Sequence, residues 1–293
     1  MAQRLGNNLM KKSAEQPDIS KKKLPTEKRV ITPGKQEELD AKLADAISSK
    51  DADKVKRLLK AGATISANEL ELLIGNPTMG MKLTEVEKLV YRETVKRAFQ
   101  KYYKRQVGDS EIEYIDEGAS KAVYKIGTEM PILAIAASRY MGEEFEGEFE
   151  KLRFLHEKCP DHFPRPIAVI EMEEGNKVIF MDYLDFQRIN KFKEAGSATD
   201  KEMAAAIGYA VGYVFAKTGM FTKEPHDGNI LLKKDGNGVR AKFVDVDHFE
   251  NGNISELIFE YFLNNSWART ECIKNRRAFE GALERGIKEG HSA

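Results

Sequence analysis

The chain has 293 residues, 41% of them apolar, enough for one large or two modest domains with a sizeable core. Its 47 basic and 47 acidic residues cancel, so net charge gives no reason to expect nucleic acid or an anionic membrane as partner. The cysteines, Cys159 and Cys272, lack zinc-site spacing, no apolar run approaches the roughly 18 residues needed to span a bilayer, and the N-terminus lacks the apolar stretch of a secretory signal. A soluble cytoplasmic protein is the expectation.

Residues 1–35 are polar and lysine-rich, with Lys21, Lys22 and Lys23 in a block, and read as a disordered basic arm. Residues 36–106 read as a helical region. Leu39, Leu43, Ala46 and Ile47 recur at helical spacing, Asp51 starts a second helix carrying Val55, Leu58 and Leu59, and Gly62 sits at a C-cap position. This pair resembles one ankyrin repeat. A single unit cannot bury its own apolar face, so a helical hairpin packed on a neighbour is expected rather than a binding array. A short helix over Asn68–Ile74 and a long one over Thr84–Tyr103 follow, the latter opened by a Thr84/Glu87 capping box. Residues 36–105 are a candidate surface for a protein partner. Lys96, Arg97, Lys101, Lys104 and Arg105 read as a solvated basic face, with phosphate or RNA contact as the alternative.

At about Asp109 the pattern turns to strands: Glu111–Ile115, Ala122–Ile126 and Ile132–Ala137. A helix over Glu143–Glu157 carries Phe145, Phe149, Leu152 and Leu155 on one face, and strands over Ala168–Met172 and Lys177–Tyr183 follow. A Thr199/Glu202 capping box opens a long helix to about Lys217. Beyond Gly219 come Pro225-His226-Asp227-Gly228-Asn229, the apolar run Ile230–Leu232, a turn at Asp235-Gly236-Asn237-Gly238, and a second apolar run that delivers Asp245-Val246-Asp247. Apolar run, Asp/Gly/Asn turn and apolar run predict a β-hairpin. It holds Asn229 near its opening and Asp245 near its close, so the two side chains can converge on one cation. The remaining chain, with Leu257, Ile258, Tyr261, Phe262 and Trp267, reads as helical with a core stripe.

In this order the elements over 109–285 resemble the protein-kinase-like superfamily, in particular its aminoglycoside-phosphotransferase and other atypical branches. The resemblance implies an α+β, two-lobed protein-kinase-like fold: a five-stranded small lobe over 107–184 and a minimal helical lobe over 185–290, preceded by the helical region. It implies ATP and Mg²⁺ as cofactors, with Asn229, Asp245 and Asp247 as metal ligands. Glu148 takes the place of the helix glutamate that fixes a phosphate-binding lysine. Asp182-Tyr183-Leu184 is the hinge whose backbone would hold adenine. The catalytic-loop spacing puts Glu224 where the family has its catalytic aspartate, and Thr222 where it has histidine.

The match departs from the family in three places. Glu224 is one methylene longer than aspartate, which shifts its carboxylate; His226 and Asp227 are alternative bases. Ala134 falls where the third strand usually carries lysine. The phosphate loop, Gly118-Ala119-Ser120-Lys121, instead resembles that of the with-no-lysine kinases, with Lys121 as the phosphate-facing cation and Lys125 and Arg139 as lesser candidates. About 45 residues follow Asp247, too few for the usual peptide-docking helices. The expected function is ATP- and magnesium-dependent phosphoryl transfer to a hydroxyl of a small molecule or protein. The alternative is a pseudokinase serving as a nucleotide-binding or protein-interaction module.

Overall fold

A computed structural model describes residues 31–66, 83–117, 121–137, 142–172, 176–223, 225, 228–253 and 274–293. The chain is α+β. Helices α1 (Pro33–Ser48), α2 (Ala52–Lys60) and α3 (Glu85–Tyr103) precede strands β1 (Ile112–Glu117), β2 (Lys121–Ile126) and β3 (Ile132–Ala137). Helix α4 (Gly142–Lys158) leads to β4 (Pro166–Glu171) and β5 (Lys177–Asp182). The five strands form one antiparallel sheet in the order β1-β2-β3-β5-β4. The expected helix at Asn68–Ile74 and the apolar stripe from Leu257 to Trp267 lie outside the described residues.

Alternation along the strands divides the sheet into two faces. Ala122, Tyr124, Ile126, Ala134, Ala136, Val178 and Phe180 point to one side, where they share a core with Leu43, Ile47, Val55, Val90, Val95 and Phe99 of the first three helices. The Tyr124 hydroxyl donates to the Lys88 carbonyl at 2.6 Å and fixes α3 on the sheet. Ile135, Ile179 and Met181 point the other way, into a second core with Phe145, Leu152 and Leu155 of α4. The α1–α2 hairpin thus packs on α3 and the sheet.

After β5 come β6 (Gln187–Arg188), α5 (Ile189–Glu194) and the long helix α6 (Asp200–Thr218). Glu202 N–H donates to Thr199 Oγ1 at 3.2 Å and Thr199 N–H to the Glu202 carboxylate at 2.8 Å, so the capping box satisfies both orphan donors. Gly219 ends α6 at φ +69°, a left-handed conformation that suits glycine. β7 (Met220–Thr222), the hairpin β8 (Ile230–Asp235) and β9 (Gly238–Phe243), β10 (Phe249–Asn251) and α7 (Arg276–Ser292) complete the described chain. β6 adds to the hairpin through β8. The sequence suggested helix directly after Phe249. Instead Phe249–Asn251 pairs with Met220–Thr222 as a short antiparallel ribbon.

Helices α6 and α7 meet at glycines. A Cβ on Gly208 would lie 2.3 Å from the Phe279 carbonyl oxygen, one on Gly212 would lie 2.2 Å from that of Leu283, and one on Gly286 would lie 2.3 Å from that of Tyr209. Gly208 and Gly212 on α6, and Gly286 and Gly290 on α7, are each four residues apart and let the two backbones touch. No helix among the described residues is long and apolar enough to cross a membrane.

Candidate active site

The site-facing side of the sheet carries Lys121 at the start of β2. Its ammonium lies 2.6 Å from Glu148 Oε2 and 2.7 Å from Asp247 Oδ2. Its Nζ also sits 5.7 Å from the centroid of the Phe145 ring, within cation–π range. Glu148 stands on α4, whose Phe145, Leu152 and Leu155 are anchored in the core, so that face of the helix is fixed. The Asp245-Val246-Asp247 segment follows β9. Val246 is buried beneath it, and the Asp247 amide donates to Asp245 Oδ1 at 3.2 Å. Carboxylate oxygens of Glu148, Asp245 and Asp247 all lie within 4.8 Å of one another.

Burial opposes the charge on Lys121, but Glu148, Asp245 and Asp247 outweigh it and hold the ammonium protonated well above the usual lysine range. Glu148 is pushed upward, first by burial and then by the negative charge of Asp247 and Asp245, while Lys121 pulls the other way. Three carboxyls thus crowd one buried cation, and a second cation there would relieve the surplus negative charge. Oxygen donors of this kind match a hard divalent ion such as Mg²⁺.

Pairing of Ile230 with Phe243 closes the β8–β9 hairpin. Asn229 and Val244 therefore face each other, with Val244 N–H donating to the Asn229 carbonyl at 3.1 Å. This sets buried Asn229 one residue from Asp245's position across the ladder. Asp182 ends β5, and its carboxylate takes two bonds from Arg165, at 3.1 and 3.0 Å. Its side chain is therefore engaged in tying β4 to β5. Leu184 follows in the half-buried segment between β5 and β6, where Lys125 Nζ lies 4.8 Å from the Tyr183 ring centroid. Lys125 thus lies toward the Tyr183 end of the site-facing side rather than the Lys121 end. Gly118, Ser120 and Glu224, with His226, Asp227 and Arg139, lie outside the described residues.

One position needs correction. Ala134 is fully buried against the α1–α3 side of the sheet. It therefore cannot be the β3 position that looks into the site. The period-two alternation gives that direction to Leu133 and Ile135. Ala134 is one residue out of phase with the site-facing positions of β3, and a one-residue slip exchanges the faces of a strand.

Several polar side chains around the site were not singled out from sequence. Lys151, three residues after Glu148 on α4, donates to the Asp247 backbone carbonyl at 2.7 Å. Lys177 on β5 bonds Glu146 of α4 at 2.7 Å. Arg188 on β6 pairs with Asp116 near the end of β1. The i, i+3 spacing of Glu148 and Lys151 was readable, but a backbone carbonyl 96 residues away leaves no mark in composition.

No family model matches the chain. AarF domain-containing kinase 1 of Drosophila melanogaster is 25% identical to it over 122 residues. The likeness is to a kinase. It covers 42% of this chain, which spans only 21% of that relative.

Proposed function

We propose that this chain is an ATP- and Mg²⁺-dependent phosphotransferase with a two-lobed kinase-like fold, in which 107–184 and 185–290 form the lobes and 36–106 braces the first. The observation that carries this reading is the convergence of Lys121, Glu148, Asp245 and Asp247 from β2, α4 and the segment after β9. Similarity to a protein named as a kinase supports it independently. Asp245, Asp247 and Asn229 would hold Mg²⁺, which when bound supplies positive charge to the phosphate oxygens. Lys121 would bind the nucleotide phosphates, with Glu148 holding its ammonium in place. Gly118 and Ser120 would cover the phosphates, and the backbone from Asp182 to Leu184 would hold the adenine. Glu224 would accept the proton of the acceptor hydroxyl as its oxygen bonds the γ-phosphorus and the bond to ADP breaks.

A nucleotide-binding pseudokinase is the second reading. It is favoured by the apolar Leu133 and Ile135, which bring no cation from β3. Thermal-shift titration with ATP and Mg²⁺, followed by incubation with labelled ATP, separates the two. Metal-dependent stabilisation that disappears in Asp245→Ala is expected, with labelled phosphate transferred by wild type and lost in Glu224→Gln. Binding without transfer by wild type would establish the pseudokinase. No stabilisation at millimolar ATP would remove both.

A further inference from the structure

We infer that Lys151 is a positioning residue for the acidic segment Asp245–Asp247, tying it to α4 so that phosphate-binding and metal-holding groups are set by one helix. The inference rests on the phosphotransferase reading and assigns a task to a residue outside that machinery.

Asp247 is held at three different atoms. Its amide donates to Asp245 Oδ1 at 3.2 Å, its carboxylate accepts from Lys121 at 2.7 Å, and its carbonyl accepts from Lys151 at 2.7 Å. The first bond is internal to the segment. The second runs through Lys121 to Glu148 on α4, and the third runs directly to α4. The two α4 residues lie three apart, on neighbouring positions of one helix face. Helix and segment are therefore joined at two points, one turn apart, and two points fix a direction as well as a distance.

The two ties differ in what a ligand does to them. Lys121 and the Asp247 carboxylate face the nucleotide and the metal, so binding changes both their partners. The Lys151 bond uses a backbone carbonyl, which is free of that competition. It keeps the segment in register while the Lys121–Asp247 pair exchanges partners. A charged donor on a carbonyl is among the stronger protein hydrogen bonds. Lys177–Glu146, 2.7 Å apart, fixes an earlier turn of the same helix on β5, so α4 has a rigid base from which Lys151 acts.

The test is thermal shift of the full chain in two series: ATP with increasing Mg²⁺, and ATP with excess chelator. Lys151→Met keeps the aliphatic stem and removes the donor; Lys151→Arg restores a charged donor. The Mg²⁺ concentration giving half the maximal shift is expected to rise at least about tenfold in Lys151→Met, the scale of one hydrogen bond to a charged group. The shift with metal-free ATP should stay at the wild-type value, and Lys151→Arg should recover most of the Mg²⁺ response. An unchanged Mg²⁺ requirement in Lys151→Met overturns the assignment. So does equal weakening with and without metal, the mark of a general structural role. If Lys151→Met lowers the melting point of the unliganded protein by many degrees, Lys151→Gln is read in the same series by the same criteria. Failure of wild type to respond to Mg²⁺ and ATP removes the reading of the site itself, and this inference with it.

Discussion

His162 shows how a single buried polar group sets a condition on the fold. It is 8% exposed, its ring lies 6.0 and 5.3 Å from those of Tyr209 and Tyr213, and its Nδ1 is 3.2 Å from the Ala241 carbonyl oxygen. A carbonyl only accepts, so Nδ1 carries the proton. Burial lowers the imidazole pKa below its ordinary value, and the Ala241 bond only partly opposes this. The folded protein therefore favours neutral histidine. Its contribution to stability is complete above about pH 6.5, the unfolded value, and is lost as pH falls through the lower folded pKa. Urea denaturation at steps from pH 7.5 to 5 should show stability falling below about 6.5, with a flatter profile in His162→Gln. Parallel profiles for the two proteins would dismiss His162 as the cause. At the same scale Lys121 was legible in the sequence as a candidate phosphate-binding cation. Its attachment to Asp247 was not, because the two are 126 residues apart in sequence.

Helices α6 and α7 place the next constraint on backbone contact rather than on side chains. Gly212 cannot take a Cβ without meeting the Leu283 carbonyl at 2.2 Å, whereas Gly281, on the exposed side of α7, has nothing within 4 Å. The same substitution must therefore act with opposite sign. Gly281→Ala should stabilise by up to about 1 kcal/mol, the helix-propensity difference. Gly212→Ala should destabilise by about 1–3 kcal/mol, because overpacking outweighs that gain. Denaturant midpoints with unchanged slopes would measure both, and a stabilising Gly212→Ala would contradict the close approach. The existence of α6 was legible from the Thr199/Glu202 capping box, with its end expected at about Lys217. Which glycines touch was not, since spacing alone does not name the opposing helix.

Across the whole molecule, the break in secondary structure near residue 107 is not a break in the core. Tyr124, Val178 and Phe180 of the sheet share one core with Leu43, Val90 and Phe99 of the preceding helices. The sheet has helices on both faces, α1–α3 on one and α4 on the other. A fragment beginning at residue 107 would expose Tyr124 and Phe180, now 1% and 0% exposed. It should aggregate or bind a hydrophobic dye, and recover solubility when residues 31–106 are supplied or retained. A soluble, monomeric fragment with a cooperative melt would show that the helices are dispensable.

The sequence by itself determined the local grammar. Caps at Thr84 and Thr199, the Asp235–Gly238 turn and the alternation of β2 follow from backbone donors, turn dihedrals and pleat, all set by neighbours in the chain. It also brought Lys121, Glu148, Asp245 and Asp247 forward as candidates, because the order of elements around them resembles one kind of site. The tertiary structure decided which face each strand presents, and so moved the site-facing positions of β3 from Ala134 to Leu133 and Ile135. It decided that Asp247 is held by both Lys121 and Lys151. Those facts depend on contacts between residues about a hundred positions apart, and on a backbone carbonyl every residue possesses. No residue type announces such a partner; only the packing of α4 against the segment after β9 selects it.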